Sequence, residues 1–343
     1  MYARSHHFVC LSLLAPVLGL LGGCAGLHLQ MVDRSVQRPS NIAVYFTVDT
    51  TRGEPVPDLT PADFHIYEDG QPVSVFESQQ TILQPEVAAA HYTLLLVDMS
   101  GSVVGSPDMD KVVSGAASFA QRVGRYQKLG VYAFDGSPHV TQISAFGSGN
   151  PQGTLNSFAS FQPKDPSTNL NGAVVEALKI LDHQMSQSPV PLRFGTLVVF
   201  TDGTDHASRV SREALHDALA SADVEVYAIA VGAEVNDSEI RTVGRNGTFT
   251  SKNPADIRRG FEEIGQRIEG YSRRYYLLSY CTPARAGAHQ VEIEAVKGGM
   301  HGRLQYDFKA DGFGPNCNPN QKPAFSTRHP RTAPLPQPKT RDR

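Results

Sequence analysis

Residues 92–97 and 196–200 are short apolar runs without a turn-forming residue, and each breaks off at once into an oxygen-rich turn. The first is followed by Asp98-Met99-Ser100-Gly101-Ser102, the second by Thr201-Asp202-Gly203. Unbroken apolar runs of this length suit strands buried on both faces, which parallel sheets covered by helices on either side require. A third fragment, Thr168, lies in the polar loop Asp165-Pro166-Ser167-Thr168-Asn169, just before a segment with helical spacing. In an open α/β sheet the loops at the carboxyl ends of the strands converge on one crevice. That geometry is expected to bring Asp98, Ser100, Ser102, Thr168 and Asp202 together.

Carboxylates, hydroxyls and water are hard ligands, suited to Mg²⁺, Mn²⁺ or Ca²⁺ rather than to zinc. Mg²⁺ takes about six oxygens, so a position remains for water or for a carboxylate from outside. The pattern resembles the metal-ion-dependent adhesion site of von Willebrand factor type A domains. It spans residues 90–271, with all five motif positions matched. The resemblance implies a doubly wound, mostly parallel, Rossmann-like sheet. It also implies Asp98, Ser100, Ser102, Thr168 and Asp202 as direct or water-mediated ligands of Mg²⁺ (or Mn²⁺ or Ca²⁺). The function so implied is divalent-cation-dependent protein binding, with a partner that presents an Asp or Glu carboxylate. The alternative is a metal-independent envelope scaffold in which the same fold is structural.

The rest of residues 90–271 alternates strand and helix patterns. Val112, Val113, Ala116, Phe119, Ala120 and Val123 share one helical face, as do Leu170, Val174, Ala177, Leu178, Leu181 and Met185. Ile257, Phe261, Ile264 and Ile268 mark the last helix, and 224–231 a further strand. Two β-rich segments flank this unit, 41–88 before it and 273–317 after it. In the first, Asp69-Gly70 between residues 64–67 and 73–76 is a hairpin signal. Neither segment has strands enough for a sandwich of its own, and together they supply about six. They are expected to pair into one small β-sandwich with the α/β unit inserted between its halves; two independent β-modules are the alternative.

The N-terminus reads as a targeting segment: Arg4, then an apolar stretch at 8–21 too short to span a bilayer comfortably, then Leu21-Gly22-Gly23-Cys24. This resembles a bacterial lipoprotein signal, which implies removal of residues 1–23, acylation of Cys24 and attachment to a membrane surface without a span. Residues 24–40 then read as anchor and polar tether. Ala25 after the cysteine favours the outer membrane of the cell envelope, facing either the periplasm or the outside. With Cys10 in the signal and Cys24 lipidated, Cys281 and Cys317 remain, an even number that in an exported protein suggests one disulfide, two free thiols being the alternative. Residues 318–343 are rich in Pro, Arg, Lys and Thr and read as a disordered basic tail.

The chain of 343 residues carries a formal charge of −3, and −4 without residues 1–23, which hold Arg4 and no acid. Nothing in this balance points to nucleic acid. No Gly-x-Ser-x-Gly elbow surrounds these serines and no Gly-x-x-x-x-Gly-Lys phosphate loop occurs. Ser100 has no base beside it in sequence, and His206 and Asp205 read as a solvated loop histidine and a surface charge. An enzyme is not expected.

Overall fold

A computed structural model describes residues 26–233 and 235–326, the side chains of 151 and 152 excepted. The signal segment 1–23, Cys24 and residues 327–343 of the tail lie outside the described residues. The first strands are β1 (Leu27–Gln37), β2 (Asn41–Thr50), β3 (Phe64–Glu68), β4 (Gln71–Pro72) and β5 (Thr81–Leu83). The α/β unit follows with β6 (Ala89–Asp98), α1 (Gly101–Val104), α2 (Met109–Val123), β7 (Lys128–Phe134), β8 (Thr141–Ser144), α3 (Pro151–Ala159) and α4 (Leu170–Ser186). It continues through β9 (Leu192–Thr201), α5 (Arg212–Ser221), β10 (Glu225–Val231), α6 (Asp237–Val243), β11 (Gly247–Ser251) and α7 (Ile257–Ser272). The chain closes with β12 (Tyr275–Cys281), β13 (Ala288–Lys297) and β14 (Met300–Lys309).

The central sheet runs β11-β10-β9-β6-β7-β8, parallel except for β8 at one edge. Alternation along β6 explains why it is covered on both sides. Leu94 and Leu96 pack with Leu170, Val174, Leu178 and Leu181 of α4, while Leu95 and Val97 pack with Phe119 of α2 and Phe261 and Ile264 of α7. Successive strand residues point to opposite faces, so an uninterrupted apolar run serves two cores at once. The fold is the doubly wound α/β arrangement, with antiparallel sheets beside it.

Strands from the two flanks share sheets. One sheet runs β1-β2-β12-β5 and the other β14-β13-β3-β4, so that β12 pairs with β2, and β13 with β3, across the whole inserted unit. Their inner faces form one core around Phe46, Phe64, Ile66, Leu278, Val291, Ile293 and Tyr306. Among the described residues this is one sandwich of eight strands, not two modules. β2 is buried from Asn41 to Asp49 because Ile42, Val44, Phe46 and Val48 enter that core while Ala43 and Tyr45 pack with Leu192 and Phe194 of the α/β unit. The junction is polar as well as aromatic. Arg274, between α7 and β12, is 2% exposed, donates to Asp49 Oδ2 at 3.0 Å, and stacks 4.3 Å over the Tyr271 ring.

Three sequence expectations need correction. Residues 27–37, read as part of a tether, form β1, paired along its length with β2. The polar residues His28, Gln30, Asp33, Arg34 and Ser35 obscured a period-2 alternation whose apolar members Leu27 and Leu29 enter the sandwich core. Residues 318–326, read as tail, are docked. The Asn41 side-chain amide donates to the Asn318 carbonyl, Ala324 N–H to Ser35 Oγ (2.9 Å) and Ser326 N–H to Asp33 (3.0 Å). Phe325 packs edge-on to Tyr45, with 6.3 Å between ring centroids. The Cys281–Cys317 disulfide holds the chain where this strap begins. Finally, Asp69 (φ 50°) and Gly70 (φ 77°) make the expected tight turn, but the return strand is only Gln71–Pro72. Pro72 has no N–H to give a ladder, and residues 75–79 form turns that leave Phe76 exposed. No helix among the described residues is long and apolar enough to cross a membrane.

Candidate metal-binding site

β6 and β9 are neighbouring parallel strands in register, Val97 facing Phe200, so their carboxyl ends emerge side by side. Thr201 Oγ1 donates to Asp98 Oδ2 at 2.7 Å. Beyond Asp98 the chain folds back on the carboxylate, because Ser100 N–H donates to Asp98 Oδ1 at 2.9 Å, the local turn that aspartate favours. Ser100 Oγ and Ser102 Oγ are 3.1 Å apart. Gly101 N–H donates to the Pro166 carbonyl at 2.9 Å, and a Cβ on Gly101 would come 2.9 Å from Pro166 Cβ. Glycine there permits the first loop to press against the loop that carries Thr168.

Thr168 is placed by Asp135, at the carboxyl end of β7. The Asp135 carboxylate accepts from Ser137 N–H (2.7 Å) and Lys164 N–H (2.6 Å), and its carbonyl accepts from Asn169 N–H (3.0 Å). Asn169 in turn caps α4, its side chain accepting from Gly172 N–H. The Thr168 carbonyl accepts from both His206 and Ala207 N–H at 2.9 Å, which ties this loop to the one bearing Asp202. The Asp202 backbone is wedged against the end of β10: a Cβ on Gly232 would lie 2.1 Å from its carbonyl oxygen.

The three fragments therefore meet. Asp98 and Ser100 are fully buried and Thr168 nearly so, Asp202 is half-buried, and Ser102 is exposed at the rim. Burial first, then the charge of Asp202, pushes the Asp98 carboxyl up to about 7 against the hydrogen bonds from Ser100 and Thr201. Among the described residues no lysine or arginine is ion-paired with Asp98. A buried carboxylate repelled by a second one and lacking a cationic side chain is costly unless a cation comes from outside. The donor set is two carboxylates and three hydroxyls. Among the described residues no group of three or more His, Cys, Asp or Glu could hold a metal, so the hard-oxygen set is the one to weigh. It fits Mg²⁺, Mn²⁺ or Ca²⁺.

Sequence reasoning did not single out Thr201, Asp135 or Gly232. The Asp135-Gly136-Ser137 stretch after β7 repeats, at a second strand end, the turn chemistry of Asp98-Met99-Ser100, and that repetition was the available signal. Asp205 is no surface charge: its carboxylate accepts from the backbone N–H and the side-chain amide of Asn171 at 3.2 and 3.3 Å, which pins the Asp202 loop to α4. Burial pushes its carboxyl above the usual range. His206 is exposed.

Residues 94–263 match the family described as von Willebrand factor type A domain. Solved structures similar to the chain include a von Willebrand factor type A protein from Catenulispora acidiphila, at 11% identity and a TM-score of 0.44, covering 83% of this chain and 73% of that one. The ArnB paralog VWA2 from Sulfolobus acidocaldarius matches at 13% identity and a TM-score of 0.41, covering 83% and 75%. A manganese-loaded TRAP protein of Plasmodium vivax matches at 12% and 0.40, covering 74% and 100%. Comparison with curated protein sequences found no match. The helices and parallel sheet of residues 94–263, with Asp98 and Thr201 at adjacent strand ends, have the α/β fold of the von Willebrand factor type A domain, the family that these residues match.

Proposed function

We propose that this protein binds a protein partner through a divalent cation held by Asp98, Ser100, Ser102, Thr168 and Asp202, and that it does so from the bacterial cell envelope, anchored by lipid on Cys24. The observation that carries the reading is Asp98: wholly buried, close enough to Asp202 to feel its charge, and hydrogen-bonded only to neutral donors. When bound, the cation would offer an open position to a carboxylate of the partner. The chain's own residues do the positioning. Thr201 and the Ser100 amide fix both oxygens of Asp98, Asp135 fixes the loop of Thr168, and Gly232 lets the Asp202 loop sit close to β10. Ser102, at the exposed rim, lies where an incoming group would approach. The Ser100 hydroxyl is 3.1 Å from that of Ser102, and the role proposed for the pair is binding rather than turnover.

The test is capture from envelope extract, in Mg²⁺ and in EDTA, with Asp98→Ala alongside. A partner held in Mg²⁺ and lost both in EDTA and with the variant supports the reading. A partner retained in all three conditions overturns it in favour of a metal-independent scaffold.

A further inference from the structure

The sandwich begins almost at the residue proposed to carry the lipid. Gly26, two positions after Cys24, is already fixed, because its carbonyl accepts from Thr51 N–H at 2.9 Å. β1 starts at Leu27 and pairs along its length with β2. Two residues reach at most about 7 Å. No slack can be drawn from 27–37 without unzipping β1 and taking Leu27 and Leu29 out of the core. A lipid on Cys24 therefore holds one particular end of the sandwich at the bilayer, where a loose tether would leave every face free to meet it.

That end is built from two turns. The 50–54 turn is closed by bonds from Thr50 N–H to the Glu54 carbonyl and from Gly53 N–H to the Thr50 carbonyl, both 2.7 Å. Beside it, Gly298 and Gly299 join β13 to β14 at φ 56° and 80°, and a Cβ on Gly26 would lie 3.4 Å from the His301 carbonyl. The two glycines put no side chain at the hairpin tip, so it can come flush with a flat surface. Arg52 is exposed and, among the described residues, has no ion pair. A guanidinium so placed can meet lipid phosphates in bidentate fashion. Glu54, also exposed, balances its charge, so the lipid rather than electrostatic attraction holds this end in place. The opposite end of the sandwich lies roughly 30 Å away along the ten residues of β2. It holds a cleft of about 520 Å³ beside Glu68 and, on the neighbouring turns, Phe76 at 92% exposure.

We propose that the 50–54 turn and the Gly298-Gly299 hairpin form a membrane-contact surface, resting on the lipid headgroups with Arg52 facing the phosphates, and that the metal face is thereby presented away from the bilayer. The inference rests on the lipid at Cys24 proposed above. The chain just after the 50–54 turn lies at the base of the α/β unit: a Cβ on Gly270, near the end of α7, would be 3.5 Å from Pro55 Cγ. β6 starts at the junction, where Ala89 shares a cluster with Tyr45, and runs ten residues to Asp98, roughly 30 Å. A partner carboxylate would then meet the cation from the side opposite the lipid. Phe76, despite its exposure, is kept off this bilayer.

The test is quenching of a thiol-attached dye by nitroxide-labelled headgroups, with the protein purified from its own membranes and reconstituted in phosphatidylcholine vesicles. Lipid on Cys24 and the Cys281–Cys317 disulfide leave no competing thiol in the processed chain. Four exposed sites carry the dye in turn: Glu54→Cys and His301→Cys at the contact surface, Phe76→Cys at the opposite end of the sandwich, and His206→Cys at the metal face. The first two should lose most of their emission when the headgroups carry nitroxide, and the last two should keep theirs. The intact mass of the same preparations separates the two readings. Cys24 without lipid would overturn the anchor and this contact with it. Lipid on Cys24 without quenching at 54 and 301, or with equal quenching at 76 or 206, would overturn the contact and leave the anchor standing.

Discussion

Replacing Asp98 with asparagine should make the metal-free protein more stable at neutral and alkaline pH, although it removes a proposed ligand. The Asp98 carboxyl is raised from the ordinary 3.8 to about 7, burial being the larger cause and the charge of Asp202 the second. A carboxyl raised in the folded state contributes stability that is fully present below the unfolded value and has gone once the pH passes the folded one. In EDTA that loss should therefore fall between about pH 4 and pH 7. Each pH unit is worth about 1.4 kcal/mol, so the deficit above pH 7 is on the order of 4 kcal/mol. Asparagine carries no charge to bury. Its Oδ1 can keep the bond from Ser100 N–H, and its amide can donate to Thr201 Oγ1, which has the Gly203 carbonyl 3.4 Å away as another acceptor. Urea unfolding in EDTA at several values between about pH 3.5 and pH 8.5, a window that brackets the titration, would give the difference between the two proteins. The Asp98→Asn variant should gain on the wild type steadily up to about pH 7 and then level off. Saturating Mg²⁺ should stabilise the wild type by RT ln(1 + [L]/Kd), about 2.7 kcal/mol at a hundredfold excess over Kd, and do little for the variant. Parallel pH profiles of the two proteins in EDTA would refute the reasoning, since the buried charge would then have no energetic cost.

Other perturbations probe the scaffold. Gly232→Ala places a Cβ 2.1 Å from the Asp202 carbonyl; the loop must move, so thermal unfolding should show a loss of at least about 2 kcal/mol and calorimetry weaker cation binding. Arg274→Ala leaves Asp49 buried without its partner and should cost about 3–5 kcal/mol in denaturant unfolding, whereas Arg274→Met should cost less. Reducing Cys281–Cys317, which closes a loop over a sequence separation of 36, should cost about 3–4 kcal/mol on the chain-entropy account, measured as the shift in urea midpoint with and without reductant.

Much of the α/β unit was legible in the chain because its signals are local. Apolar runs such as 92–97, bounded at once by turn residues, suit strands covered on both faces, and the turn chemistry of Asp98-Met99-Ser100 acts within three residues. Helix stripes such as Leu170, Val174, Leu178 and Leu181 carry their period in their spacing. Legibility failed where a segment's role depends on a distant partner. β1 has four polar residues in its first eight and reads as a tether until β2 is beside it to bury Leu27 and Leu29. Phe325 sits in a tail whose composition resembles disordered chain, and the cluster around Tyr45, 280 residues earlier, gives it a place to pack. Asp205 and Asp135 look like surface charges until their backbone donors are brought to them.

The candidate site divides in the same way. The residue types, and hence the hard-oxygen chemistry and the preference for a divalent cation, are properties of the sequence by itself. Strand pairing alone decided that Asp98 would stand beside Thr201, that the Thr168 carbonyl would hold the loop after Asp202, and that water would be kept from Asp98 but not from Ser102. The physical reason is that a donor atom's identity belongs to its residue, whereas its desolvation and the charges near it are set by chain segments a hundred residues away. The cleft beside Glu68 is the extreme case: no local pattern announces it, since its walls come from four separate stretches of chain, at Ser40, 68–79, 281–285 and 315–317, that meet only when β12 joins the sandwich and the disulfide closes.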